Sequence, residues 1–178
     1  MKTVTLFLVL VFCYACSDIR RPEQLQKTEA LLADLKTISE VSKNTDSLRI
    51  LLLIKRIDSL EKRMKLDFKS DTMKFELVNE LDKFKQIKPT LIFVANSKRR
   101  IDSLIEMRIT TIENLHADIK ESAGNRAKYD AYIQHESDEI EELKNFVNYC
   151  DSARAKSLKT FDTLHIGIEQ FVSNLKIK

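Results

Sequence analysis

The sequence predicts an all-α protein, an elongated antiparallel helical bundle or coiled coil of three to four long helices. Three observations in the 178-residue chain carry that expectation. It holds only two Gly (Gly124, Gly167) and two Pro (Pro22, Pro89), whereas a β protein needs many of both to punctuate its turns. Charged residues make up 32% of the chain with both signs interspersed, as on solvated helix faces. Apolar residues recur three and four apart over long stretches, the spacing that gathers them on one side of a helix.

The first helix is expected from about Pro22 to Val41, since proline suits a helix's first turn. Leu25, Leu31, Leu32, Leu35, Ile38 and Val41 make its stripe. Lys43-Asn44-Thr45-Asp46 interrupts the pattern, and Thr45 or Asp46 can cap a second helix by accepting from the free amides of its first turn. Ile50, Leu53, Ile57, Leu60 and Met64 continue it. The pattern slips near Asp67–Asp71 and resumes at Phe75, Val78, Leu81 and Phe84, a stutter that changes supercoiling without ending a helix. Pro89 is expected to end the second helix, because it has no amide to donate and pushes residue 88 away from helical angles.

Leu91-Ile92-Phe93-Val94-Ala95 has a strand's composition, but a lone strand would have no partner in this chain. A third helix from Pro89 through Ile101, Ile105, Ile109, Ile112 and Ile119 is therefore preferred. It stops at Ser122-Ala123-Gly124-Asn125, where Gly124 can take the left-handed conformation without steric cost. The last helix, from about Arg126 to Lys176, has the clearest pattern. Ile140, Leu143, Val147, Cys150, Arg154, Ser157, Phe161, Leu164, Ile168, Phe171 and Leu175 form a coiled-coil seam with polar interruptions at Arg154 and Ser157. Such a seam must be covered, and the other helices folded back antiparallel would cover it.

RIDSL occurs at residues 56–60 and again at 100–104. The flanking residues do not match (ILLL against VANS before it, EKRM against IEMR after it), so this is not a duplication. Ile57, Leu60 and Ile101 are seam positions, and the repeat is amphipathic helix grammar.

The N-terminus reads as addressing information. Lys2 precedes Val4–Ala15 (VTLFLVLVFCYA), an apolar run of twelve residues, shorter than the ~20 needed to span a bilayer but the length of a secretory h-region. Phe12-Cys13-Tyr14-Ala15-Cys16, followed by Ser17 and Asp18, resembles the lipobox of bacterial lipoproteins, in the relaxed form of Bacteroidetes lipoproteins. It departs from the usual pattern at Cys13 and Tyr14. The resemblance covers the targeting segment alone. It implies a signal peptide over 1–15 and lipid attachment at Cys16; residues 16–21, closed by Pro22, then read as a lipid-anchored tether, and the apolar periodicity makes 22–178 the bundle domain. The resemblance also implies a cell-envelope location, lipid-anchored to a bacterial membrane with the outer membrane favoured, and the domain in the periplasm or at the cell surface. Cleavage before Cys16 without lipidation, and an uncleaved anchor, are the alternatives.

With Cys13 removed and Cys16 lipidated, Cys150 stands alone and is read as a buried apolar residue; an intermolecular crosslink is the other reading. Loss of Lys2 leaves 29 Lys and Arg against 27 Asp and Glu, a net charge of +2. Export removes nucleic acid from the expected partners. Lys98-Arg99-Arg100 and the acidic run Glu136–Glu142 are read as solvated helix faces, and the Tyr129/Tyr132 pair and nine Phe as core.

No Gly-rich phosphate loop, G-x-S-x-G, C-x-x-C or H-E-x-x-H occurs, so no catalytic residue, cofactor or small-molecule substrate is identified. Glu113/His116 and Asp162/His165 each place an acid three residues before a histidine. Two such pairs with two further acids would resemble a di-metal centre in a four-helix bundle, but they are read as ordinary surface or flank histidines beside the seam, and metal binding is only a remote candidate. A non-enzymatic scaffold, spacer or accessory subunit, anchored through Cys16 and bound to an envelope partner or to itself, is the expected function. A chaperone-like or ligand-binding helical module is the alternative.

Overall fold

The computed structural model describes residues 19–67 and 75–175. They form four helices: α1 (Arg21–Lys43), α2 (Ser47–Asp67), α3 (Phe75–Glu121) and α4 (Tyr129–Leu175), with a single 3-10 turn at Arg126–Lys128. No strand occurs among the described residues, and Leu91–Ala95 is helical.

α3 and α4 are each 47 residues, or about 70 Å at ~1.5 Å per residue, and pack antiparallel as one long hairpin. Arg108 reaches Glu136 near its closed end, Phe93 meets Phe146 midway, and Phe84 meets Phe161 near the far end. Ser122 (φ 57°) and Gly124 (φ 72°) turn the chain there. The Tyr129 hydroxyl sits between the carbonyl of Asp118 (2.9 Å), in the last turn of α3, and that of Ala123 in the turn after it.

α1 and α2 lie end to end along this hairpin and together act as its third helix. Both run antiparallel to α3, through Thr28–His116, Ser42–Asp102 and Asp58–Lys88. Both run parallel to α4, through Arg20–Asp130 and Arg56–Glu169. The antiparallel bundle is therefore up–down–up: the seam of α4 is covered by one antiparallel helix and two short parallel ones, where three antiparallel helices were expected. Asn44–Asp46 divides α1 from α2, and the Asp46 carboxylate accepts from the Arg49 amide at 2.9 Å, the expected cap.

The core falls into two clusters. Leu35, Ile38, Ile105, Ile112, Ile119, Ile140 and Leu143 belong to the α1 half. Ile50, Ile57, Phe84, Leu91, Phe161, Ile168 and Val172 belong to the α2 half. A fully buried Leu or Ile stabilises the fold by about 2 kcal/mol, so burial of this stripe, rather than helix propensity, holds elements of this length. Ile140, Leu143, Val147, Cys150, Ser157, Phe161 and Ile168 of the expected α4 seam are buried, whereas Arg154, Leu164, Phe171 and Leu175 are half-buried and Val172 takes the buried place expected of Phe171. The seam also runs about a heptad and a half further back, through Tyr129, Ile133 and Glu136.

Pro89 does not end a helix: α3 passes through it without a break. Ile87, Leu91 and Val94 are buried on the opposite side, while Pro89 and Lys85 are exposed, so the carbonyl Pro89 cannot serve faces water. The chain instead reverses between Asp67 and Phe75. Asp58 and Lys88, 30 residues apart, form an ion pair that a continuous helix would hold about 45 Å apart. The stutter expected to preserve the helix lies there, with residues 68–74 outside the described ones.

Candidate functional site

Polar side chains at the helix contacts set the register of α1 on the hairpin. The Thr28 hydroxyl donates to the Leu25 carbonyl and lies 2.8 Å from His116 Nδ1. A hydroxyl has one proton, so His116 Nδ1 is the donor in that contact. Gln24 Nε2 and Arg20 donate to the two oxygens of Asp130 at 2.8 and 2.9 Å. The Gln24 hydrogen bond, and after it the Arg20 charge, hold the Asp130 carboxyl below its ordinary value of 3.8.

Glu136 was expected on a solvated face and is instead buried in the seam, 3.0 Å from Arg108, which also reaches Glu139. The pair earns its place by geometry: a buried carboxylate needs its guanidinium, and only one α3–α4 register supplies it. Lys98 bonds Asp102, and Ser42 bonds the same carboxylate at 2.9 Å. Arg100 lies over the Phe146 ring at 6.0 Å.

The acid-x-x-His pairs do not meet. Glu113 and Asp162 are exposed. His116 faces Thr28 near the closed end of the hairpin, whereas His165 stacks on Phe161 at 4.9 Å in the other half. The two histidines are about 50 Å apart along the bundle. Among the described residues no three His, Cys, Asp or Glu side chains gather as metal ligands. Cys150 is free and buried in the α1-half cluster. Burial pushes its thiol up, against a hydrogen bond with Ser97, which makes it a poor nucleophile. Cys13 and Cys16 lie outside the described residues. Among those residues no helix is long and apolar enough to cross a membrane.

The feature that chemistry can use is the outer groove between α3 and α4, on the side α1 and α2 leave uncovered. A trough of about 660 Å³ is lined by side chains that include Lys83, Gln86, Thr90, Tyr149, Lys156 and Thr160, and by no acid. Neither lysine has an ionic partner among the described residues. The groove continues into an aromatic strip. Phe93, 42% exposed, meets Phe146 edge-on at 6.4 Å and Tyr149, 61% exposed, at 6.0 Å. Beyond it lies a second trough of about 290 Å³, bounded by Arg100, Leu104, Glu142 and Phe146.

The expectation that the aromatics are core holds for Tyr129, Phe84 and Phe161 and fails for Tyr132 and Phe93. Sequence periodicity missed the strip because Phe93, Phe146 and Tyr149 flank the seam: each sits one position from a buried residue, at Val94, Val147 and Cys150. The available signal was an aromatic beside, rather than in, the three-four pattern. No family model matches the chain, and neither curated proteins nor solved structures give a match.

Proposed function

We propose that this chain is a cell-envelope lipoprotein, anchored through Cys16, that serves as a non-enzymatic helical scaffold or accessory subunit and docks an envelope partner along the α3/α4 groove. The supporting observation is the strip of exposed Phe93 and Tyr149 with half-buried Phe146 beside Phe93, on the uncovered side of a rod about 70 Å long. Aromatics beside an arginine, as Phe146 stands under Arg100, are what protein interfaces use as anchors. The targeting segment, read by its resemblance to a lipobox, supports the envelope location and the outer membrane. A chaperone-like or ligand-binding module is the second reading, favoured by the open 660 Å³ trough.

Two measurements test the proposal. Mass spectrometry of the mature N-terminus should find a diacylated Cys16, and Cys16→Ser should move the protein from the membrane to the soluble fraction. A photocrosslinking residue at position 149 should capture one discrete species from intact cells, and the same residue at Lys36 should not. Many products at position 149 would favour the chaperone reading. No product, with a monomeric protein, would end the docking proposal.

A further inference from the structure

We propose that the outward face of α2 rests on an anionic lipid surface, so that the rod lies along the membrane instead of standing on it. The inference deepens the envelope reading and rests on it only for the presence of a bilayer.

α2 buries Ile50, Ile57 and Leu60. The opposite side of the same helix, at three-four spacing, carries Leu48, Leu51, Leu52, Lys55, Ser59, Lys62 and Leu66. The four leucines are 68%, 51%, 59% and 66% exposed. The acids Asp58 and Glu61 turn toward α3, where Lys88 pairs with both, and Arg56 pairs with Glu169 on α4. Lys55 and Lys62 remain exposed, with no ionic partner among the described residues. The outward face is thus leucine and lysine with one serine and no acid. α1 gives an internal comparison: its outward positions include Glu29, Ala33, Lys36 and Glu40, a polar face bearing both signs.

The chemistry selects the occupant. A protein partner is usually gripped by aromatics and arginine in a pocket, which describes the α3/α4 groove. A convex stripe of leucine interleaved with lysine is the composition of a helix lying in a bilayer interface. Lysine stems lie along the acyl region while their ammonium groups reach the headgroup phosphates, and anionic lipid attracts each such cation. The placement agrees. Leu48 lies about 40 Å along the bundle from Ile19, so this face and an anchor at the chain's start would touch the membrane at two separate points. The α3/α4 groove, on the side opposite α1 and α2, would then face away from the bilayer, open to a partner.

The chain has no tryptophan, so a single introduced one reports its own surroundings. The full chain carrying Leu52→Trp is mixed with vesicles of phosphatidylglycerol and phosphatidylethanolamine with brominated acyl chains. Ala33→Trp, on the outward face of α1, is the reference, and circular dichroism verifies that both fold. Tryptophan at 52 should shift to shorter wavelength and be quenched roughly twofold or more, while tryptophan at 33 should not. Adding Lys55→Glu with Lys62→Glu, or changing to neutral phosphatidylcholine, should abolish the quenching.

Equal quenching at 52 and 33 overturns the inference, and quenching that survives both changes of charge overturns the anionic surface. A blue shift at 52 that grows with protein concentration without vesicles would assign the face to a second copy and overturn it too. Sedimentation of the Ala33→Trp chain with vesicles separates the two claims. If it sediments while position 52 stays unquenched, only this inference fails. Quenching at 52 in a chain carrying Cys16→Ser upholds it without the anchor.

Discussion

Asp130 shows how a single exposed side chain can fasten a helix. It sits in the first turn of α4, where its charge is favourable, and receives Gln24 and Arg20 from the start of α1. Those donors lower its pKa from 3.8, so the folded state holds the proton less tightly than the unfolded one. The resulting stability is fully present above 3.8 and disappears as the pH falls below that value through the folded pKa. Thermal melts of wild type and Asp130→Asn should therefore differ at pH 6 and converge as the pH is lowered below 3.8. A gap that persists in acid would show that the carboxylate charge is not what fastens α1. The side chain is 46% exposed, which keeps the effect small.

The same scale sorts RIDSL. Ile57, Leu60 and Ile101 are buried, as their spacing predicts. Spacing alone would let the basic residues Arg56 and Arg100 pair with acids a turn away on their own helix. Instead Arg56 crosses to Glu169, Asp58 crosses to Lys88, and Arg100 covers Phe146. Spacing places residues on a face but is silent on which helix that face meets.

Among the elements, α3 carries the sharpest departure from sequence reasoning. An interior proline costs about 3 kcal/mol relative to alanine, which argues for a boundary at Pro89. The buried run Leu81, Phe84, Ile87, Leu91 and Val94 continues on either side of it, and each fully buried member offsets about 2 kcal/mol. Packing wins, with the proline turned to solvent. Pro89→Ala should then stabilise the protein by about 2 kcal/mol, measured by chemical denaturation, with the helical content unchanged. A loss of stability would mean that Pro89 shapes a bend that α2 needs.

At the scale of the whole molecule, the rod is two apolar halves joined at a polar waist. Ser42, Ser97 and Ser157 are buried there, and Arg154 donates to the Asn44 carbonyl at 3.0 Å and pairs with Asp151. The seam's polar interruption at Arg154 thus has a purpose: it fills the gap between α1 and α2 and satisfies a carbonyl at the end of α1. Arg154→Ala should cost about 1–2 kcal/mol and speed amide exchange in α1 more than in the α4 stretch 157–172. Uniform loss of protection along the rod would show that the waist does not divide it.

By itself, the sequence determined the helical class, most of the buried side of each helix, most of the α4 seam, the Asp46 cap and the turn at Gly124, because all of these follow from spacing and backbone sterics within one or two turns. The pattern was one residue off at Val78, which is exposed, and at Phe171, where Val172 is buried instead. It also supplied the lipobox-like segment, whose meaning is chemical and local. Only the tertiary structure decided that Pro89 lies inside a helix, that the chain reverses before Phe75, and that Glu136 is buried. It likewise decided that the two acid-x-x-His pairs stand far apart and that Phe93, Tyr149 and the α2 leucines face outward. Each of these depends on which helix lies alongside, a contact between residues distant in the chain, and periodicity carries no information about that.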